Sequence, residues 1–213
     1  MHAEPRCPRC GDGLREPGLW SSAWQCARHG PVDPYTVMEH SGADALSHVV
    51  GRAHVPVWLP HPAPSGWLCS GVGFAGDDRT GARATVTAMC GPGPLGGAAD
   101  LLVVAEEPGV GLGARHAGLS EPDPGDAVGR GQPDARVLAA GHLTPLWSVP
   151  SEDDCAVFVG EAKAAWLWLL VWPAAAGVLV YDDTVLADLR DQPSDFEPAF
   201  GLVTPRLSAP PAA

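Results

Sequence analysis

Residues 164–181 read AAWLWLLVWPAAAGVLVY, a run of 18 residues without a charge. That length lies at the lower edge of what a membrane-spanning helix needs, so its reading decides between a membrane protein and a β-rich one. Pro173 and Gly177 interrupt the run, and its tryptophans fall at 166, 168 and 172, with Leu170 completing the same face. Period two is the signature of a strand. The stretch therefore predicts two buried strands, 165–172 and 177–182, joined by a PAAAG turn, and no membrane helix.

The surrounding sequence agrees with a β-weighted chain. Glycine (26) and proline (23) occur at about twice the usual frequency in 213 residues, and both suit turns better than helix interiors. At 46% hydrophobic residues the chain can bury a sizeable core. Strands are expected at 67–75 and 82–90, a hairpin about AGDDRTG, then at 100–107, 135–140, 143–149 and 155–161. Ser41 with Asp44 resembles a capping box opening a helix near 42–52, and a short helix is expected at 111–118. Four prolines in 56–64 exclude helix there. TVLADLRD reads as a final helical turn. The fold class is α+β, β-weighted: a small N-terminal ribbon plus one mainly antiparallel sheet domain with few helices. The expected organisation is a ribbon at 1–34, a helix and Pro-rich connector at 35–66, a β-rich body at 67–206 and a disordered tail at 207–213.

The ribbon is read from CPRCGDGLREPGLWSSAWQCARHG, residues 7–30. Its spacing is Cys7-x2-Cys10-x15-Cys26-x2-His29, two tight-turn pairs that can aim four soft or borderline donors at one tetrahedral ion. Zinc suits this set, and with four protein donors its sphere is closed, which makes the role structural. Gly11 and Gly30 follow the two pairs, where the chain must turn sharply. Between them two short strands are expected about Pro17-Gly18, with Trp20 and Trp24 as a minimal apolar face. So small a unit folds only with help from its metal.

Formal charge is −12, yet residues 1–34 sum to zero, so the body carries all of it. Such a body repels phosphate backbones and anionic membrane, and Lys163 is the only lysine. The opening MHAEPRCPRC has no apolar core of a signal peptide, and the expected compartment is the reducing cytoplasm, where clustered cysteines favour metal over disulfides.

Catalytic signals in the body are weak. GVGLGAR at 109–115 is G-x-G-x-G rather than a dinucleotide fingerprint, and no Gly-Lys-Ser or Gly-Lys-Thr occurs. It reads as a tight structural loop. Glu106 and Glu107 point to opposite faces of a strand, where one could act, although a strand end near solvent is the plainer expectation; Arg115 could bind an anion. Asp77, Asp78 and Arg79 belong to a turn, and Asp182 and Asp183 end a strand in the same way. Cys69, Cys90 and Cys155 read as small buried hydrophobes. His54, His61, His116 and His142 lack metal spacing.

The motifs CPRCG (7–11), VPVWLP (55–60), GDDRTGARA (76–84), GPGPLGG (91–97), VAEEPGVGLGAR (104–115), TPLW (144–147) and LVWP (170–173) together resemble a family of uncharacterised actinobacterial proteins with an N-terminal zinc ribbon. The resemblance covers nearly the whole chain and implies zinc ligation by Cys7, Cys10, Cys26 and His29. Some members carry the label phosphotransacetylase. Those enzymes are larger α/β proteins that bind acetyl phosphate and coenzyme A through basic and hydroxyl side chains, which a short, acidic, nearly lysine-free chain does not match.

Two functions fit. The first is a binding, adaptor or regulatory protein whose partner is a protein or small molecule, with structural zinc; of Trp58, Trp67, Trp147, Trp166, Trp168 and Trp172 most are expected in the core, and any that stay exposed would form the contact surface. The second is an enzyme acting on a small anionic substrate through the 106–116 segment. A deep pocket joining Glu106, Glu107 and Arg115 favours the enzyme; an aromatic patch near the ribbon favours the adaptor.

Overall fold

The computed structural model describes residues 4–19, 21–151, 154–181, 184–191 and 198–208 of the chain. The expectations for Trp20, for Asp182 and Asp183, and for the tail beyond residue 208 lie outside the described residues.

Two strands, β1 (Gln25–Cys26) and β2 (Gly30–Pro31), pair within the ribbon. The body follows as β3 (Tyr35–Val37), α1 (Ala43–Val50), β4 (Trp58–Pro60), β5 (Leu68–Asp77), β6 (Gly81–Pro92), β7 (Ala98–Glu106), α2 (Leu112–His116), β8 (Ala135–Ala139), β9 (His142–Val149), β10 (Ala156–Ala162), β11 (Ala165–Trp172) and β12 (Val185–Asp188). Strands β3 to β12 form one ten-stranded sheet in the order β3-β5-β6-β7-β11-β10-β9-β8-β12-β4. Every pairing is antiparallel except β12 with β8. The sheet curls so that β4 and the segment before it lie over β6: the hydroxyls of Thr85 and Thr87 donate to the carbonyls of Pro56 and Trp58, each at 2.6 Å.

Strand β11 explains why the decisive stretch is apolar on both faces. Leu167, Leu169 and Val171 point into the core enclosed by the curl, with Trp58, Met89 and Leu186. Trp168, Leu170 and Trp172 enter a second core on the other face, with Leu102, Val104 and Leu112. Leu167 to Val171 are all 0% exposed. Burial of each large side chain contributes about 1.5–3 kcal/mol, which holds β11 in the middle of the sheet between β7 and β10.

The second half of the stretch differs from expectation. Residues 174–181 form a 3-10 helix, not a strand over 177–182. Gly177 lies so close to β10 that a Cβ there would stand 2.6 Å from the Cβ of Ala156. The three-residue repeat then buries Ala176, Gly177 and Val180 while Val178 and Tyr181 face outward. No helix among the described residues is long and apolar enough to cross a membrane.

Three further local readings are corrected. TVLADLRD is strand β12 followed by a 3-10 turn, Leu189–Asp191, because its backbone pairs with β4 and β8. Ser41 does not cap α1: Gly42 occupies the N-cap, and the Ser41 hydroxyl donates to the Cys69 carbonyl instead. The proline-rich connector contains β4, an edge strand, where proline's missing N–H costs no ladder bond.

Candidate metal centre

The ribbon brings its four predicted donors to one point. Sγ of Cys7 lies 3.5 Å from Nδ1 of His29, Sγ of Cys26 lies 3.5 Å from the same nitrogen, and the sulfurs of Cys10 and Cys26 are 3.7 Å apart. All four donors lie within 4.8 Å of one another, and among the described residues no other group of three or more Cys, His, Asp or Glu does so. A tetrahedral ion with about 2.3 Å metal–sulfur and about 2.0–2.1 Å metal–nitrogen bonds has edges of about 3.8 Å (S to S) and about 3.6 Å (S to N). The cluster therefore fits a zinc ribbon and holds its donors at the separations a bound ion requires.

Local geometry follows from the sequence. Gly11 adopts φ +76°, where a side chain is disfavoured, and its N–H donates to the Cys7 carbonyl at 2.8 Å, closing the first turn. The intervening hairpin is pinned by paired backbone bonds between Arg15 and Gln25, both 3.0 Å. Burial pushes the Cys7 and Cys10 thiols up, Cys10 to about 12. At Cys26 burial acts in the same sense, but backbone N–H donation from Arg28 and His29 outweighs it and lowers the thiol. A metal must displace these protons, so binding is coupled to pH.

The ribbon rests on the 106–116 segment, a contact spanning about a hundred residues of sequence. Arg9, between the first two cysteines, donates from Nε to the Val110 carbonyl at 3.3 Å and from Nη2 to the Gly109 carbonyl. The guanidinium of Arg115 lies against Gly11, where a Cβ would stand 2.8 Å from its Nη2, and 5.7 Å from the Tyr35 ring centroid. Tyr35 and Arg6 exchange backbone bonds of 2.8 and 2.9 Å, joining ribbon to sheet.

Each residue singled out in 106–116 is engaged from within. Glu106, expected near solvent at a strand end, is 0% exposed. Its carboxylate accepts from the backbone N–H groups of Leu112 (2.6 Å) and Gly113 (3.1 Å), at the start of α2. Burial pushes this carboxyl up to about 8 against the pull of those donors. Gly113 has no room for a side chain, since a Cβ would stand 2.5 Å from Cγ of Trp168. Asp123 holds the loop from outside, accepting from Gly109 N (2.8 Å) and Trp166 Nε1 (3.0 Å). Glu107 is partly exposed and pairs with Arg83 at 2.7 Å, which also reaches Asp33 at 3.0 Å. Arg115 is 3% exposed; burial lowers its pKa, while Tyr35, Cys7 and Cys10 favour its charged form. GVGLGAR is thus a short loop over residues 109–111 that runs directly into α2.

Four of the body tryptophans, Trp58, Trp67, Trp168 and Trp172, are core residues, while Trp147 and Trp166 are half-buried. Cys69 and Cys155 are buried and Cys90 is half-buried. Where ribbon meets body a groove of about 320 Å³ is lined by Pro5, Trp24, Pro34, His48, Phe74 and Asp77, among others. Sequence reasoning missed the anchoring roles of Arg9, Tyr35 and Asp123, since each depends on partners distant in sequence. Comparison with curated proteins gave no match, and comparison with solved structures gave none. A family model described as a family of unknown function, DUF6758, matches residues 1–207, and the chain belongs to that family.

Proposed function

We propose that this member of DUF6758 is a zinc-ribbon binding protein, an adaptor or regulator rather than an enzyme, and that its zinc is structural. The observation that carries the reading is the seating of the ribbon on residues 109–115. The donor set is closed, and Glu106, Glu107 and Arg115 are spent on internal contacts that position the ribbon. Three cysteines and one histidine favour zinc over harder cations, which take oxygen ligands. The partner is a protein that meets the groove at the ribbon–body junction, where half-buried Trp24 and Pro5 offer apolar surface beside the charged Asp77.

The test is native mass spectrometry of the chain purified from its own cells under reducing conditions, together with a photo-crosslinking residue placed at Trp24 or, as a distal control, at exposed Arg136. One zinc per chain, lost in Cys26→Ser, and a protein crosslink from position 24 but not 136 support the reading. A bound small molecule with no protein crosslink overturns the adaptor, and a metal-free chain overturns the zinc.

A further inference from the structure

We infer that Arg115 is the counter-cation of the metal centre: its buried guanidinium, laid against Gly11, neutralises the anionic thiolate cluster and so sets how tightly the ribbon holds its ion. This rests on the zinc reading above.

Charge balance comes first. Three thiolates, one neutral imidazole and a divalent ion sum to one negative charge. Cys7 and Cys26 are buried and Cys10 and His29 half-buried, so solvent screens that charge only in part. Arg115, at 3% exposure, is a buried cation on the adjoining turn. A buried charge costs several kcal/mol unless an opposite one answers it. One guanidinium matches a Cys3His centre; four cysteines would leave a second negative charge uncompensated.

Geometry makes the match specific. The contact is with Gly11, the residue after Cys10, and only an absent side chain there lets the guanidinium lie so close to the cysteine turn. The Tyr35 ring centroid lies 5.7 Å from the guanidinium, and burial holds the Tyr35 phenol well above its ordinary value, so Tyr35 contributes a ring face rather than a charge. Arg115 is aimed by α2, whose first N–H groups are clamped by Glu106. A chain of contacts thus runs from the end of β7 through α2 to the metal turn. Arg115 is a positioning and charge-balancing residue, not a ligand, and groups of that kind commonly alter metal affinity by about 10–100-fold.

The experiment measures zinc affinity of the full chain by chelator competition at fixed pH, in wild type, Arg115→Lys and Arg115→Met. Methionine keeps much of the apolar volume without charge; lysine keeps the charge. The expected result is about a 10–100-fold weaker affinity for Arg115→Met, with Arg115→Lys staying within a few-fold of wild type. The cobalt(II)-substituted proteins supply an independent reading. Removing a nearby cation raises the energy of the thiolate electrons, so the sulfur-to-cobalt charge-transfer band of Arg115→Met moves to lower energy while that of Arg115→Lys does not. If Arg115→Met does not fold, Arg115→Gln is read in its place. Unchanged affinity and spectrum in the neutral variant overturn the inference, as does equal loss in lysine and neutral variants, which marks shape rather than charge. A wild-type chain without zinc fails the zinc reading itself, a distinguishable outcome.

Discussion

Glu106 makes the stability of this fold depend on pH in a direction opposite to that of ordinary carboxylates. Its ordinary value is 4.5, and burial raises it to about 8 in the folded chain. Below pH 4.5 the carboxyl is protonated in both states and contributes no difference. Between 4.5 and 8 the unfolded chain releases a proton that the folded chain retains, so stability falls as pH rises, by about 1.36 kcal/mol per unit. From pH 5 to pH 8 the loss is on the order of 4 kcal/mol, which for a chain of this size corresponds to roughly 8–16 °C in Tm. A zinc ion bound at the cysteine–histidine cluster would contribute with the opposite sign, since acid protonates thiolate ligands, so wild type must be read against Glu106→Gln at equal zinc loading. Glutamine cannot ionise, and matched zinc loading removes any difference in metal content between the two proteins. The assay is thermal and urea unfolding of both proteins at pH 5, 6.5 and 8. The difference wild type minus Glu106→Gln is expected to shrink or reverse by that amount as pH rises. A difference that stays constant, or grows with pH, would mean that the two backbone N–H groups hold Glu106 as an ordinary carboxylate and that burial is not the controlling effect.

Two further substitutions probe the packing around this site and the far edge of the sheet. Gly113→Ala forces a methyl into the Trp168 indole, and overpacking of this kind costs about 1–3 kcal/mol, read as a lower urea midpoint with unchanged slope; a midpoint within error of wild type refutes the contact. Asp188 is 1% exposed at its side chain and accepts from Lys163 (2.9 Å), Arg190 (2.7 Å) and the Val57 N–H (3.2 Å). Although burial alone would raise its carboxyl, Arg190 and Lys163 hold it at about 2, against 3.8 ordinarily. Its stabilisation is therefore present above pH 3.8 and lost as pH falls toward 2. Breaking a buried pair costs about 3–5 kcal/mol, and partial exposure of both cations places Asp188→Asn near the lower end; equilibrium unfolding at pH 7 measures it, and a loss near zero would make the pair incidental.

The cluster of Cys7, Cys10, Cys26 and His29 was legible in the sequence because its geometry is local: two x2 spacings put each pair on one turn whatever surrounds it. Strands were legible where apolar residues run unbroken or two long segments flank a short turn, as in β5, β6, β7 and β11. The 3-10 helix at 174–181 was not, since Val178, Leu179 and Val180 favour a strand and only the close approach of Gly177 to Ala156 decides otherwise. Ser41 shows the same limit at smaller scale, a helix-capping residue drawn off by a carbonyl 28 positions away. The meeting of Arg9 and Arg115 at the cysteine turn was invisible for a related reason. Nothing in C-P-R-C says what the arginine touches, and nothing in G-A-R-H says that its neighbour is a glycine near residue 10.

The central position of β11 also sets the order in which the chain can complete itself during synthesis. Strand β7 lacks its second neighbour until Trp166 pairs with Glu106 and Trp172 with Asp100. Those partners emerge roughly 60–70 residues later, about 3–14 s at about 5–20 residues per second. Meanwhile the hairpins of β5, β6 and β7 present apolar residues on both faces and an unpaired edge, the condition in which strands recruit other strands. The last stitches come later still: Cys69 donates to the Ala199 carbonyl, Thr204 to that of Ser70, and the Tyr35 hydroxyl to that of Leu207. A nascent chain of this protein thus carries an open sheet edge at β7 until β11 emerges, and Tyr35, Cys69 and Ser70 gain these partners only when residues 199–207 arrive.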